Sequence, residues 1–220
     1  MSNYGYKLQY RRNLPHIQPP GATFFVTFRL AGSIPLAVLR ELRDQAEQQA
    51  GTIESIEDGD ERDRQRDRAY KQQFGRWDAY LDGMANGPYW LDRPEIARSV
   101  MESLHYRHGK EYDLDTFSVM PNHVHALFAP LQGEDGMYIP LQQIMHSLKR
   151  YTARAANKIL DRQGQFWHHE SYDHAVRDDA ELGRIRRYIL LNPLNAGLVK
   201  SWEEWPWSYC AYEGALNLEG

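Results

Sequence analysis

The sequence has a single cysteine, Cys210, among its 220 residues. One cysteine excludes an internal disulfide framework and any zinc site built from several thiolates. The chain also lacks an apolar run long enough to span a membrane, and its start, from Met1 to Lys7, lacks the apolar core of a secretory signal. We therefore expect a soluble, cytoplasmic protein without a membrane partner.

An excess of basic charge is also missing, because the formal net charge is −4. Proteins that bind nucleic acid usually carry a basic excess. The charges are unevenly distributed, however, with acid-rich sequence in residues 41–82 and basic residues concentrated downstream. The downstream basic residues are Lys149, Arg150, Arg154, Lys158, Arg184, Arg186 and Arg187. Since a phosphate backbone responds to local charge, a nucleic-acid partner remains compatible with this composition.

The most informative stretch runs from Met120 to Phe128 and contains the pattern histidine, apolar residue, histidine. It predicts a β-strand, in which side chains alternate between the two faces. His123 and His125 then share one face, roughly 6–7 Å apart, and the apolar residues between and after them share the other. Two such imidazoles can bind one divalent cation. The alternative to a metal site is that the two histidines occur together by chance on an exposed strand face.

The remaining hydrophobic patterns predict an α+β fold. Strands are predicted at 22–30, 112–120 and 123–128, and helices at 36–46 and 70–81 and after Pro94 and Pro140. The second and third strands should form an antiparallel hairpin. This order fits a ferredoxin-like antiparallel sheet with helices on one face. We expect a single domain over 1–220, with a helical insertion at about 45–90 and a C-terminal extension at about 165–220.

Tyr151 lies in the helix that begins after Pro140, at the border of its apolar stripe and beside Lys149, Arg150 and Arg154. A tyrosine in such a position usually packs its ring inward and leaves its hydroxyl in water. The alternative is a nucleophile, because a phenol can attack a phosphodiester when cations stabilise the phenolate. The sequence does not show whether this helix lies across the histidine strand.

Several segments together resemble the Y1 transposases of the IS200 type. They are Met120–His125 and His146–Arg154. The C-terminal segments resemble the REP-associated tyrosine transposase branch of that family. They are Phe166-Trp167, Tyr172-Asp173-His174, Arg187–Pro193, Ala196–Val199 and Trp205–Tyr209. The resemblance extends from about Arg11 to Tyr212 and is weakest over 45–90.

The resemblance implies a single-strand DNA endonuclease and strand transferase of the HUH class. His123 and His125 would hold Mg²⁺ or Mn²⁺, and Tyr151 would attack the scissile phosphate. A 5′-phosphotyrosine would form and a 3′-hydroxyl would leave. The implied partner is single-stranded or hairpin DNA from REP-like palindromes, bound by a monomer or a homodimer.

The third metal ligand departs from the family pattern, in which a glutamine follows the tyrosine by one helical turn. That position is Ala155 here. The other candidates are Asn157, Glu170, Asp173, His174, His168 and His169, and water is a further possibility. The sequence leaves these alternatives open.

Phosphate contacts are expected from basic residues, although solvated faces would have the same composition. The candidates are Arg11, Arg12, Lys149, Arg150, Arg154, Lys158 and Arg187. The absent glutamine motivates an alternative function, a domesticated protein that binds hairpin DNA without cutting it. A third hypothesis is a metal phosphoesterase for small nucleotides, with water as the nucleophile.

Overall fold

The computed structural model describes residues 9–11, 15–17, 19–83 and 87–212. The chain forms two compact units, one made of Met1–Ala31 with Tyr89–Gly220 and the other of Gly32–Pro88. The predicted helical insertion falls largely in the second unit, which begins about a dozen residues before the predicted start. The predicted C-terminal extension lies in the first unit.

The first unit contains two antiparallel sheets. The small sheet pairs β1 (Gln9–Arg11) with β2 (Pro15–Ile17). The main sheet consists of β3 (Phe24–Arg29), β4 (Tyr112–Val119), β5 (His123–Pro130), β6 (Tyr172–Ala175) and β7 (Ser208–Cys210). Its strand order is β6-β3-β5-β4-β7, and every neighbouring pair is antiparallel. The histidine strand is therefore the central strand of the main sheet.

In the part of the chain that the structure describes, five α-helices accompany the strands. The second unit contains α1 (Leu36–Glu54) and α2 (Gly59–Asp82), and the first contains α3 (Pro94–Arg107), α4 (Leu141–Ile159) and α5 (Asp179–Asn195). Short 3₁₀ turns occupy Trp90–Asp92 and Trp202–Glu204. Within the described ranges, no helix combines the length and the apolar character needed to cross a membrane.

One face of the main sheet, here called the core face, packs against α3 and α4. Phe24, Val26 and Phe28 of β3 and Val124 and Ala126 of β5 belong to this core. On α4 the buried positions recur at helical spacing. They are Leu141, Ile144, Met145, Leu148, Thr152 and Ala156. The predicted amphipathic helix is therefore confirmed, with its stripe on the core face.

The opposite face, here called the histidine face, carries the alternate residues of the same strands. Thr27 lies directly opposite His125, and Arg29 opposite His123. Helix α5 packs on this face, since its Tyr188 ring contacts the ring of His125. The predicted α+β antiparallel fold is confirmed, but its helices are not restricted to one face as the sequence suggested. Helix α5 covers the second face because its own apolar residues, including the buried Ile189 and Leu190, need a partner surface.

The second unit is a helical hairpin with a polar composition. Asp58 caps the start of α2 by accepting a hydrogen bond from the Glu61 backbone N–H. Asp78 and Asp82 lie one turn apart on this helix, and burial together with the Asp82 carboxylate raises the pKa of Asp78 to about 8. Ion pairs such as Arg66 with Glu54 join α2 to α1.

Candidate active site

His123 and His125 meet through their ring nitrogens on the histidine face. The two Nε2 atoms lie 2.9 Å apart, and both side chains are fully buried. This confirms the predicted strand and the predicted shared face of the two imidazoles. Two nitrogens converging at this distance form the kind of donor pair that a divalent transition metal takes.

Each histidine is oriented by a second hydrogen bond at its other nitrogen. His123 Nδ1 lies 2.6 Å from Asn122 Oδ1, and His125 Nδ1 lies 2.7 Å from Thr27 Oγ1. A carbonyl oxygen only accepts, so His123 carries a proton on Nδ1 and its Nε2 carries a lone pair. Partners of this kind fix the ring and the tautomer of a ligating histidine.

Burial keeps both imidazoles neutral. It lowers the pKa of His123 to about 3 and holds the pKa of His125 well below its usual value, with His123 adding to the effect on His125. A metal ligand must be the neutral imidazole. The histidine pair is therefore in the form that can bind a cation at neutral pH.

Tyr188 of α5 is the tyrosine that lies against the histidine pair. Its ring centroid is 5.3 Å from that of His125, in an edge arrangement. Phe25 of β3 contacts both, with ring centroids 5.7 Å from His125 and 6.0 Å from Tyr188. The three rings pack together, which fixes a phenol beside the candidate metal ligands.

Helix α5 is held on the sheet near its start and near its middle. Near its start, Glu181 Oε1 lies 3.1 Å from His174 Nε2 of β6. Two residues before Tyr188, Arg186 donates from Nε and Nη2 to the two carboxylate oxygens of Asp115. Asp115 projects from a bulge in β4, where the register shifts between Leu114 and Thr116. The bidentate bond to Asp115 raises the pKa of Arg186 and fixes the position of α5 along β4.

Tyr151, the nucleophile predicted from sequence, is not brought to the histidine pair. It lies on α4, which packs on the core face, and its side chain is 59% exposed. Its ring is 5.9 Å from the guanidinium carbon of Arg107, at the end of α3. The sheet therefore separates Tyr151 from His123 and His125 of the same chain, and the geometry gives no support to the predicted role.

The third-ligand candidates from sequence have other partners or positions. Asn157 binds the loop after α4, accepting from Arg162 and donating to the Gly164 carbonyl. Asp173 points to the core face, because it lies opposite Val26. Glu170 and Asp173 line a cleft beside α4, and His174 pairs with Glu181. His168 and His169 line the same cleft.

That cleft has a volume of about 820 Å³ and lies between α4 and residues 164–173. Two predicted DNA contacts, Lys149 and Arg150, line it. The Lys149 ammonium donates to the carbonyls of His168, His169 and Glu170, so it supports this loop. Arg150 is exposed.

The other predicted contacts are distributed over several elements. Arg154 and Lys158 are exposed on α4, and Arg187 is exposed on α5. Arg12 lies outside the described residues. The backbone of Arg11 forms part of β1, and its side chain is outside the described part.

The sequence analysis gave no individual role to Tyr188 or Asn192, which the structure places on the helix that covers the histidine face. Asn192 is buried and follows Tyr188 by one helical turn, so both lie on the same side of α5. The spacing of a tyrosine and an amide by four residues was the available signal, because the family pattern places an amide at that distance. Tyr151 has Ala155 there instead.

Comparison with known proteins finds relatives of part of this chain. The family model described as "Transposase IS200 like" matches residues 95–192, which include the histidine pair, Tyr188 and Asn192. A Haemophilus influenzae protein named as a REP-associated tyrosine transposase is 24% identical over 106 residues, covering 45% of this chain and 60% of that protein. The REP-associated tyrosine transposase of Escherichia coli K12 is 24% identical over 102 residues, covering 46% of this chain and 56% of that protein.

The match thus spans less than two thirds of either relative's length. A solved structure of a REP-associated tyrosine transposase bound to a REP hairpin shares the fold. It aligns with 90% of this chain and 80% of that chain, with a TM-score of 0.50 and 15% identity. The resemblance predicted from sequence is confirmed: residues 95–192 are similar to the IS200-like transposases, and two relatives of part of this chain are REP-associated tyrosine transposases.

Proposed function

We propose that this chain is a metal-dependent, single-strand DNA endonuclease and strand transferase with Tyr188 as its nucleophile. The observation that carries the proposal is the 5.3 Å separation between the rings of Tyr188 and His125. A phenol, a pair of neutral imidazoles and an oriented helix thus occur together on one face of the sheet. We transfer the role predicted for Tyr151 to Tyr188 for this reason.

His123 and His125 would hold Mg²⁺ or Mn²⁺. The donor set fits, because both rings are neutral and their Nε2 atoms converge. We propose Asn192 as the third protein ligand in place of the candidates from sequence, since a side-chain amide oxygen suits these cations and Asn192 shares the side of α5 that carries Tyr188. A cation bound there supplies Lewis-acid polarisation of the scissile phosphate.

Tyr188 would attack the phosphorus through its phenol oxygen. The new bond joins Tyr188 Oη to phosphorus, and the bond between phosphorus and the 3′-oxygen breaks. The phenol proton passes to solvent, and the departing 3′-oxygen takes up a proton to become a hydroxyl. Attack by a 3′-hydroxyl on the phosphotyrosine reverses the step and joins strands, so the energy of the phosphodiester is retained.

The DNA partner we propose is a hairpin of the kind named for the structural relative. Its phosphates would contact a basic row along α4, here called the α4 ridge and made of His146, Arg150, Arg154 and Lys158. These residues recur every four positions and are exposed, so they share one side of the helix. Arg187 would add a contact beside Tyr188. Contacts of this type position a nucleic acid without reading its sequence.

The test uses Mn²⁺ and end-labelled single-stranded hairpins from palindromes flanking the gene, analysed on a denaturing protein gel. The wild type should give a labelled covalent adduct. Tyr188→Phe should abolish the adduct and retain hairpin binding, because only the phenol oxygen is removed. Tyr151→Phe is the matched control, and it should form the adduct normally.

Three other outcomes contradict the proposal in distinct ways. If Tyr151→Phe abolished the adduct and Tyr188→Phe did not, the nucleophile would be Tyr151. Hairpin binding in EDTA without any adduct would indicate a domesticated DNA-binding protein. Hydrolysis of small nucleotides without an adduct, unaffected by either substitution, would indicate a phosphoesterase that uses water.

A further inference from the structure

Tyr151 presents a large aromatic ring to solvent. Its side chain is 59% exposed on α4, on the opposite side of the sheet from the histidine pair. A single exposed aromatic residue is common on protein surfaces and needs no special explanation. Two features of its surroundings distinguish Tyr151: a buried cation that contacts the ring, and the exposed basic residues next to it.

The buried cation is Arg107, at the end of α3. Its guanidinium carbon lies 5.9 Å from the centroid of the Tyr151 ring, and the residue is only 6% exposed. Its Nη1 donates to the carbonyl and the hydroxyl of Ser103, and its Nη2 donates to Ser147 Oγ at 3.0 Å. These bonds join α3 to α4 and fix the guanidinium. Since a guanidinium at this distance attracts an aromatic ring, Tyr151 is held in place while most of its surface stays exposed.

The exposed basic residues belong to the α4 ridge. Arg150 directly precedes Tyr151, and Arg154 follows it by three residues, so both side chains lie beside the ring on the helix surface. The carboxylate of Glu111 lies 3.6 Å from Arg107 Nε, so its charge offsets that of the buried guanidinium. A fixed, exposed ring therefore adjoins two exposed arginines.

An exposed ring beside arginines fits an unpaired base of a nucleic acid. Every base has a π-face that stacks on an aromatic side chain, and the phosphates on either side of the base are attracted to cations. A base inside a duplex has both faces covered by its neighbours and is not available for this contact. An apolar protein partner fits less well, because it would remove the arginines from water without offering them a counter-charge.

We propose that Tyr151 is a stacking platform for an unpaired base of the bound DNA, with Arg150 and Arg154 on the phosphates that flank this base. The identity of the partner rests on the proposed function. Because the sheet separates α4 from His123 and His125, the platform holds a part of the DNA that is remote from the scissile phosphate. Tyr151 therefore contributes to DNA affinity and not to the chemical step.

The first experiment measures DNA binding by fluorescence anisotropy in EDTA, with a hairpin that carries single-stranded extensions. Tyr151→Ala should weaken binding about 5- to 150-fold, the range for loss of one base–aromatic stack. Tyr151→Phe keeps the ring and should bind as the wild type does. Tyr80→Ala removes another exposed tyrosine, on α2, and should also bind normally. Urea unfolding shows whether each variant is folded.

The second experiment separates stacking on a base from contact with a phosphate. A blunt duplex of the stem sequence has no unpaired base, so the wild type and Tyr151→Ala should bind it equally. Abasic sites placed either in the hairpin loop or in the extensions should abolish the difference between the two proteins at one of these places, which identifies the source of the base. The salt slope should be the same for both proteins, because stacking neutralises no phosphate.

Equal affinity of the wild type and folded Tyr151→Ala for the extended hairpin would overturn the inference. An equal loss of affinity on the blunt duplex would also overturn it, because the contact would then not involve an unpaired base. A wild type that binds the hairpin but forms no covalent adduct would refute the proposed nuclease and leave the platform of Tyr151 intact. The two proposals therefore fail in distinguishable ways.

Discussion

The buried histidine pair should make folding stability depend on pH in a way that one substitution can isolate. The folded-state pKa of His123 is about 3, whereas the unfolded chain has the ordinary value near 6.5. The native state therefore resists protonation that the unfolded state accepts. The stabilisation is fully present above pH 6.5 and is lost as the pH falls toward 3.

The magnitude follows from the two pKa values. Between pH 7.5 and pH 5.0 the free energy of unfolding should fall by about 2 kcal/mol through His123 alone, since each pH unit below 6.5 costs about 1.4 kcal/mol. His125 changes in the same direction because its pKa is also lowered by burial. Carboxylates elsewhere respond to the same pH change, so the wild-type slope by itself does not identify the histidines.

The assay is urea unfolding in EDTA at pH 7.5, 6.5, 5.5 and 5.0, for wild type and His123→Gln. Both proteins have the same carboxylates, so the carboxylate contributions cancel when the free energy of unfolding of His123→Gln is subtracted from that of the wild type. This difference should decrease by about 2 kcal/mol between pH 7.5 and pH 5.0. His146→Gln removes an exposed histidine from α4. It is the control that shows how much the loss of any one imidazole changes the pH dependence of the free energy of unfolding. A wild-type minus His123→Gln difference that is independent of pH would refute a neutral, desolvated His123.

Three further predictions concern the helix, the DNA surface and the number of chains in the site. A mixture of the His125→Ala and Tyr188→Phe proteins should not form the adduct, because His125 and Tyr188 of the same chain contact each other. Adduct formation by the mixture, seen on a denaturing gel, would show that the site is assembled from two chains. Asp115→Asn should lower the free energy of urea unfolding by about 1–3 kcal/mol, since it breaks the bidentate bond to Arg186; an unchanged value would contradict its anchoring of α5. Arg154→Ala should weaken hairpin binding and reduce the salt slope by about 1 in filter binding across a NaCl series, and an unchanged slope would exclude a phosphate contact.

Local chemistry allowed the starts of three helices and the histidine hairpin to be predicted. Pro35 and Pro140 occupy the N-cap positions of α1 and α4, and Pro94 is the first residue of α3, as expected from a residue that suits a helix start. The β4–β5 hairpin and the face of the histidines followed from period-two alternation. These features depend on residues close together in the chain.

The arrangement of the sheet depends on distant residues and was not predictable in the same way. Strand β6 pairs with β3, and β7 pairs with β4, although both come from the C-terminal part of the chain. No local pattern selects an edge for a strand of three or four residues. The bulge at Asp115, which directs a carboxylate to Arg186, is likewise visible only once the register is known.

The choice between the two tyrosines shows what an amphipathic pattern determines. A buried stripe specifies which side of a helix faces the sheet. It does not specify which of the two faces of the sheet the helix packs on. Each tyrosine has three basic residues within four positions, so local charge does not distinguish them. Helix α4, which carries Tyr151, packs on the core face. Tyr188 is flanked by apolar residues on its C-terminal side, as expected for a helix that covers the histidine face. The amide one turn later, Asn192, is a feature that Tyr151 lacks, and our proposal of Tyr188 as the nucleophile rests on this spacing and on the contact with His125.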